Sequence, residues 1–145
     1  YEEMPSDPFR ALWLYIIESE QDQQQAKANL KKHYQRDRSQ EWGWVLVAIM
    51  LRDVSDEQAL KMIMDGTREN YRLAERLTET YFYLGKRHQL EGDVAGAISL
   101  YKLAISFNVY DYVEHRYSFI ELAQIYEQLQ QDRMAKLKAE QQQEN

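Results

Sequence analysis

With three histidines, twenty-four acidic side chains and no cysteine, the chain can draw chemistry only from imidazole, carboxylate, amine and hydroxyl groups. His33, His88 and His115 stand apart. None has a second histidine four residues on, a Glu three residues ahead as in di-iron bundles, or an H-E-x-x-H string, so no metal site is expected. His88 falls at a packing position and reads as a core histidine. The carboxylate pairs Glu18 with Glu20 and Glu2 with Glu3 are local neighbours on polar faces, not an acid and base facing across a cleft. Asp65-Gly66-Thr67-Arg68-Glu69 puts its glycine second where a calcium loop needs it sixth, and reads as a helix stop. No glycine-rich phosphate loop or dinucleotide fingerprint occurs. The expectation is a protein without catalysis, cofactor or metal.

The elements around these residues are helical. Only two prolines and five glycines interrupt a chain rich in Gln, Glu, Ala, Leu and Lys, the composition of helices joined by tight turns. A net charge of −6 and small basic clusters, Lys31-Lys32 and Arg36-Asp37-Arg38, disfavour a phosphate backbone as partner. No apolar run approaches a membrane span of about 18 residues.

One segment matches the tetratricopeptide template closely: Tyr81-x2-Leu84-Gly85-x2-His88, the turn Gly92-Asp93, then Ala97-x3-Tyr101-x2-Ala104. Small residues at Gly85 and Ala97 would let two helices cross closely. The frame recurs downstream in Phe119-x2-Leu122-Ala123-x2-Tyr126 with Ala135 in phase, and upstream in Trp44-x2-Val47-Ala48-x2-Leu51. There Leu60 stands where a small residue is wanted, with Ala59 one place off. In the first unit Trp13-Leu14-x2-Ile17 leads to Ala26-x3-Leu30. Close crossings are expected at Leu14, Ala48, Gly85 and Ala123.

Asp22, Asp56 and Asp93 share a frame position and should each open a second helix, with Ser55-x2-Gln58 as a capping box. The reading is an all-α, tetratricopeptide-like solenoid of four helix pairs, units 7–38, 39–66, 69–108 and 111–143. Its eight helices fall at roughly 8–20, 22–36, 39–52, 55–65, 69–91, 93–107, 111–130 and 132–142. The last helix should cap the array, with Met134, Leu137 and Ala139 turned inward and its Lys, Glu and Gln residues wet. Asp7-Pro8 falls where one repeat customarily ends. It suggests that repeats continue upstream, or that a partner subunit covers Leu12 and Trp13.

Template geometry turns particular first-helix positions toward a concave groove. It selects Tyr15 and Glu18; Trp42, Val45, Ile49 and Arg52; Glu79, Phe82, Lys86 and Gln89; and Tyr117, Ile120, Gln124 and Glu127. Trp42, Ile49 and Phe82 would make an apolar floor for an extended protein segment, rimmed by Arg52 and Lys86. Phe82 and Lys86 occupy positions where a two-carboxylate clamp wants Lys and Asn, so chaperone tails are disfavoured.

Several strings, Asp7-Pro8-Phe9-Arg10 with Leu12-Trp13-Leu14-Tyr15, Glu41-Trp42-Gly43-Trp44, Leu73-Ala74-Glu75, Phe82-Tyr83-Leu84-Gly85-Lys86 and Val113-Glu114-His115-Arg116-Tyr117, resemble the NlpI family of outer-membrane lipoproteins. The resemblance implies the C-terminal portion of a homodimeric periplasmic adaptor, tethered to the outer membrane through an upstream lipidated cysteine. It further implies docking of a tail-specific protease and of peptidoglycan hydrolases, murein endopeptidases above all, in cell-wall turnover. A structural dimerisation module and a non-catalytic part of a larger enzyme assembly are the alternatives.

Overall fold

A computed structural model describes residues 7–36, 42–66 and 69–144. These residues form seven helices: α1 (Pro8–Ser19), α2 (Gln23–Arg36), α3 (Trp42–Met50), α4 (Asp56–Gly66), α5 (Asn70–Leu90), α6 (Val94–Ser106) and α7 (Val113–Gln143). The fold is all-α and tetratricopeptide-like in its helix pairs, with no strand among the described residues. Residues 39–41 of the helix expected from 39, the Glu2-Glu3 pair and Thr67-Arg68 lie outside them.

Two compact units divide the chain, Tyr1–Arg76 and Leu77–Asn145. In the first, Asp7 caps α1 by accepting from Phe9 N at 2.9 Å, and Pro8 occupies the first turn, where no N–H is required. A stripe of Pro8, Ala11, Leu12, Tyr15, Ile16 and Ser19 is buried at helical spacing, which places Leu12 inside this unit's own core. Asp22 starts α2 by accepting from Gln25 N at 3.1 Å. Ala26 and Leu30 are that helix's buried residues, and α2 packs on α1. Helix α3, WGWVLVAIM, is buried on nearly every side among α1, α2 and α4, the expected fate of a helix apolar all round. Gly43 permits this: a Cβ there would overlap the Pro8 ring, reaching 2.8 Å from Pro8 Cβ.

Helix α3 ends on Arg52 in the left-handed region at φ 57°, and Asp53 N reaches back to Ala48 O at 2.9 Å. That turn is a Schellman motif, repeated after α5 with Gly92 at φ 84° and Asp93 N bonded to His88 O at 2.8 Å. The capping box at α4 is reciprocal, Gln58 N to Ser55 Oγ and Ser55 N to Gln58 Oε1, both 3.1 Å. Ser55 therefore caps α4. Asp56, expected as the opening residue, sits one position inside. Ala59 is fully buried and Leu60 half-buried, so the small residue serves one place from the template.

In the second unit α5 and α6 cross where Gly85 meets Tyr101; a Cβ on Gly85 would stand 2.7 Å from Tyr101 Cε1. Ala97, Tyr101 and Ala104 are wholly buried on α6, Leu84 is buried on α5, and Tyr81 stacks on Phe107 at 5.9 Å. Asp93 caps α6 through Gly96 N at 3.0 Å. Helix α7 departs from the reading: the expected break near 131 is absent and one helix runs through 31 residues. Gln130-Gln131-Asp132-Arg133 holds neither Gly nor Pro, and its residues continue a helix readily. The fourth pair is consequently a single helix. Ala123 and Ala135 are exposed, as is Leu14 on α1, so close crossings do not form at these three positions. Met134, Leu137 and Ala139 are likewise exposed instead of turned inward, because no preceding helix folds back against them.

Two glycines separate packing from backbone strain. Gly85→Ala should destabilise by about 1–3 kcal/mol, because Tyr101 must shift from a filled core. Gly92→Ala, whose Cβ would meet nothing within 4 Å, should cost about 1–2 kcal/mol through its left-handed φ alone. Urea midpoints check both, and adding Tyr101→Leu should soften the first loss while leaving the second unchanged.

Candidate protein-binding surface

Most residues assigned to an open groove are occupied in packing their own unit. In the first unit Tyr15 and Ile49 are buried, Trp42 and Val45 are half-buried, and Arg52 is exposed at its turn. Arg76 lies 5.0 Å over the Trp42 ring, a cation–π contact that holds the indole against its own unit. Glu18 accepts from Asn29 Nδ2 at 3.0 Å, tying α1 to α2. The Trp44 ring tilts against Tyr34 at 6.5 Å, and its buried Nε1 has no hydrogen-bond partner among the described residues.

In the second unit Phe82 is fully buried, its ring 5.0 Å from Tyr83 and 6.0 Å from Tyr101, and Glu79 is buried too. Lys86 forms a 2.6 Å ion pair with Glu121 of α7, both side chains largely shielded from water. Gln89 accepts from the Tyr101 hydroxyl at 2.7 Å. Burial pushes the Tyr101 phenol far up, with Glu121 adding to the shift, so it remains a donor. The apolar floor expected from Trp42, Ile49 and Phe82 is therefore core material. Trp42 and Ile49 on α3 and Phe82 on α5 each turn toward the interior of their own unit.

What stays open is a row along the first half of α7: Tyr117, Ile120, Gln124 and Glu127, with Val113 at its head. Opposite them, Glu114, His115, Ser118, Leu122 and Ile125 are buried against the unit. Exposed Phe119, Tyr126, Met134 and Leu137 continue along a second line of the same helix, although the repeat frame assigns the first two to packing and the expected cap turns the last two inward. Lys102 Nζ lies 5.8 Å from the Tyr126 ring.

Polar groups beneath α7 fix its position. Glu114 accepts from the Tyr83 hydroxyl at 3.2 Å. Burial raises its carboxyl above the ordinary value, outweighing its backbone hydrogen bond and the Tyr83 hydroxyl. His115 is buried between Tyr110 at 4.9 Å and Phe119 at 5.7 Å, its Nε2 without a hydrogen-bond partner among the described residues. His88 is not sealed in the core: its Nδ1 sits 2.8 Å from Asp93 Oδ2, bridging the end of α5 to the cap of α6. The hydrogen bond from Gly96 N, then that from His88, holds Asp93 below the ordinary carboxylate range. That contribution to stability is present above the ordinary pKa and is lost as pH falls through the depressed one.

Among the described residues no three His, Asp or Glu side chains converge as a metal set, and no helix is long and apolar enough to cross a membrane. Compared with known protein families, the chain matches no family model.

Phe82→Ala should cost about 3–5 kcal/mol, read as a lower urea midpoint, because it empties a closed core. Glu114→Gln should stabilise the protein at pH 7, since the raised carboxyl makes the charged form the penalised one. Denaturation across pH checks the sign: the gain should vanish below the ordinary Glu value of 4.5, where wild type is protonated in both states. A gain that persists in acid would place its origin elsewhere.

Proposed function

We propose that the chain is a non-catalytic protein-binding adaptor whose docking surface includes the exposed row of α7. The observation that carries this reading is the contrast across that helix. Its inner side is closed by packing and by the Lys86 to Glu121 pair, whereas Tyr117 and Ile120 stand open beside Gln124. Exposed aromatic and aliphatic side chains next to hydrogen-bonding ones suit a protein partner better than a small substrate.

The resemblance to outer-membrane lipoproteins supplies the context. Under it the chain is the C-terminal part of a homodimeric adaptor in the periplasm, anchored to the outer membrane by a lipid on an upstream cysteine. It brings peptidoglycan hydrolases, murein endopeptidases above all, to a tail-specific protease. Its role is then to regulate cell-wall synthesis and turnover without turnover of its own.

The test is a binding titration of the purified chain against a tail-specific protease and a murein endopeptidase. Tyr117→Ala with Ile120→Ala should weaken at least one of the two about tenfold or more, with the helical spectrum and melting temperature close to wild type. Absence of binding to both partners, unchanged affinity in the variant, or hydrolysis of peptidoglycan by the chain alone would each overturn the reading.

A further inference from the structure

We propose that Glu114 regulates the docking row of α7 by pH: with its carboxyl protonated the head of the helix stays seated on α5, and with it ionised the head opens. The inference rests on the proposed reading only for what the row binds; the seat is argued from the second unit alone.

Glu114 lies in the first turn of α7 and is 7% exposed. Its side-chain partner is a neutral donor, the Tyr83 hydroxyl of α5 at 3.2 Å, and no ion pair reaches it among the described residues. None of the neighbouring charges neutralises it. On α5, Lys86 pairs with Glu121 and Arg87 with Glu91, while Glu79, one turn before Tyr83, is buried and acidic. On α6, Lys102 lies over the Tyr126 ring, well down α7. Asp111 in the preceding turn is exposed, as is Arg116, and His115 is held between Tyr110 and Phe119. Successive helix residues do not face one another, so His115 does not answer the charge.

An enclosed carboxylate without a cation is penalised against the neutral acid, and here burial outweighs both hydrogen bonds to the carboxylate. The seated helix therefore holds the proton more tightly than an open, hydrated one. Protonation favours the seat: its contribution is full below the ordinary Glu value of 4.5 and is lost as pH rises through the raised one.

Little else holds the head of α7. Tyr112, its N-cap, makes no side-chain cap, and the N–H groups of His115 and Arg116 reach Tyr112 O at 3.2 and 3.4 Å. Tyr117 is one turn from Glu114, and Ile120 directly precedes the Lys86 to Glu121 pair that limits the opening. Opening the head thus displaces the start of the docking row.

The test is hydrogen exchange of the full chain, with no partner present, between about pH 5 and about pH 8 and corrected for the intrinsic exchange rate. In wild type the opening of residues 113–120 should rise with pH, by at most about tenfold per pH unit between the ordinary and raised values, and then level off. Glu114→Gln keeps an acceptor for Tyr83 and removes the titration, so its opening should not change with pH. Tyr83→Phe removes a donor to the carboxylate, so the rise should continue to higher pH before levelling. No rise in wild type, the same rise in Glu114→Gln, levelling at the same pH in Tyr83→Phe, or protection of 113–120 as strong as that of the α5 and α6 core would overturn the proposal. Affinity for the protease or endopeptidase should fall with rising pH in wild type relative to Glu114→Gln. An exchange response with that ratio unmoved would overturn the regulation of docking. Absence of binding at any pH would overturn the docking reading, while exchange alone decides the seat.

Discussion

Between α5 and α6 the Tyr101 ring lies against the backbone at Gly85, closer than any side chain there would allow. Phe82 and Tyr83 then pack around that ring, and the Tyr101 hydroxyl finds Gln89 at the core's edge. The packing of Phe82 around Tyr101 presumes this approach. Were the two helices held further apart, Phe82 would lose its closed pocket, and Asp93 could not both cap α6 and meet His88.

The second unit then seats α7 with polar groups as much as apolar ones. Lys86 with Glu121 and Tyr83 with Glu114 link α5 to α7 at two heights, one as an ion pair and one as a hydrogen bond to a carboxyl raised by burial. Shielded pairs of this kind are poor sources of stability but fix rotation and register, since a slip would leave a charge buried without its partner. Register matters here because α7 presents different chemistry on each side. A half turn would bury Tyr117 and Ile120 and expose Leu122 and Ile125.

The first unit solves its packing differently. Helix α3 offers no polar face, so it cannot lie on a surface and must be enclosed by α1, α2 and α4. Gly43 admits Pro8 at that junction, and Arg52 accepts a left-handed φ so that Asp53 can close the helix end. Arg76 over Trp42 covers the part of the indole that the core does not.

The sequence by itself determined the helical class, most helix ends and the caps at Asp22, Ser55 and Asp93, because capping and turn chemistry act within a few residues. It also marked Gly85 and Tyr101, since the repeat spacing that places them is periodic along the chain. Only tertiary structure decided which side of each helix meets a neighbour. Ile49 and Phe82 share the same template face as Tyr117 and Ile120, yet the first two are enclosed and the last two are open. Periodicity gives a face but not its cover. The continuity of α7 had a local signal, the absence of any helix breaker around Asp132, but the repeat phase of Ala135 pointed to a hairpin instead. With no turn to fold the chain back, the residues meant to close the array stand in solvent.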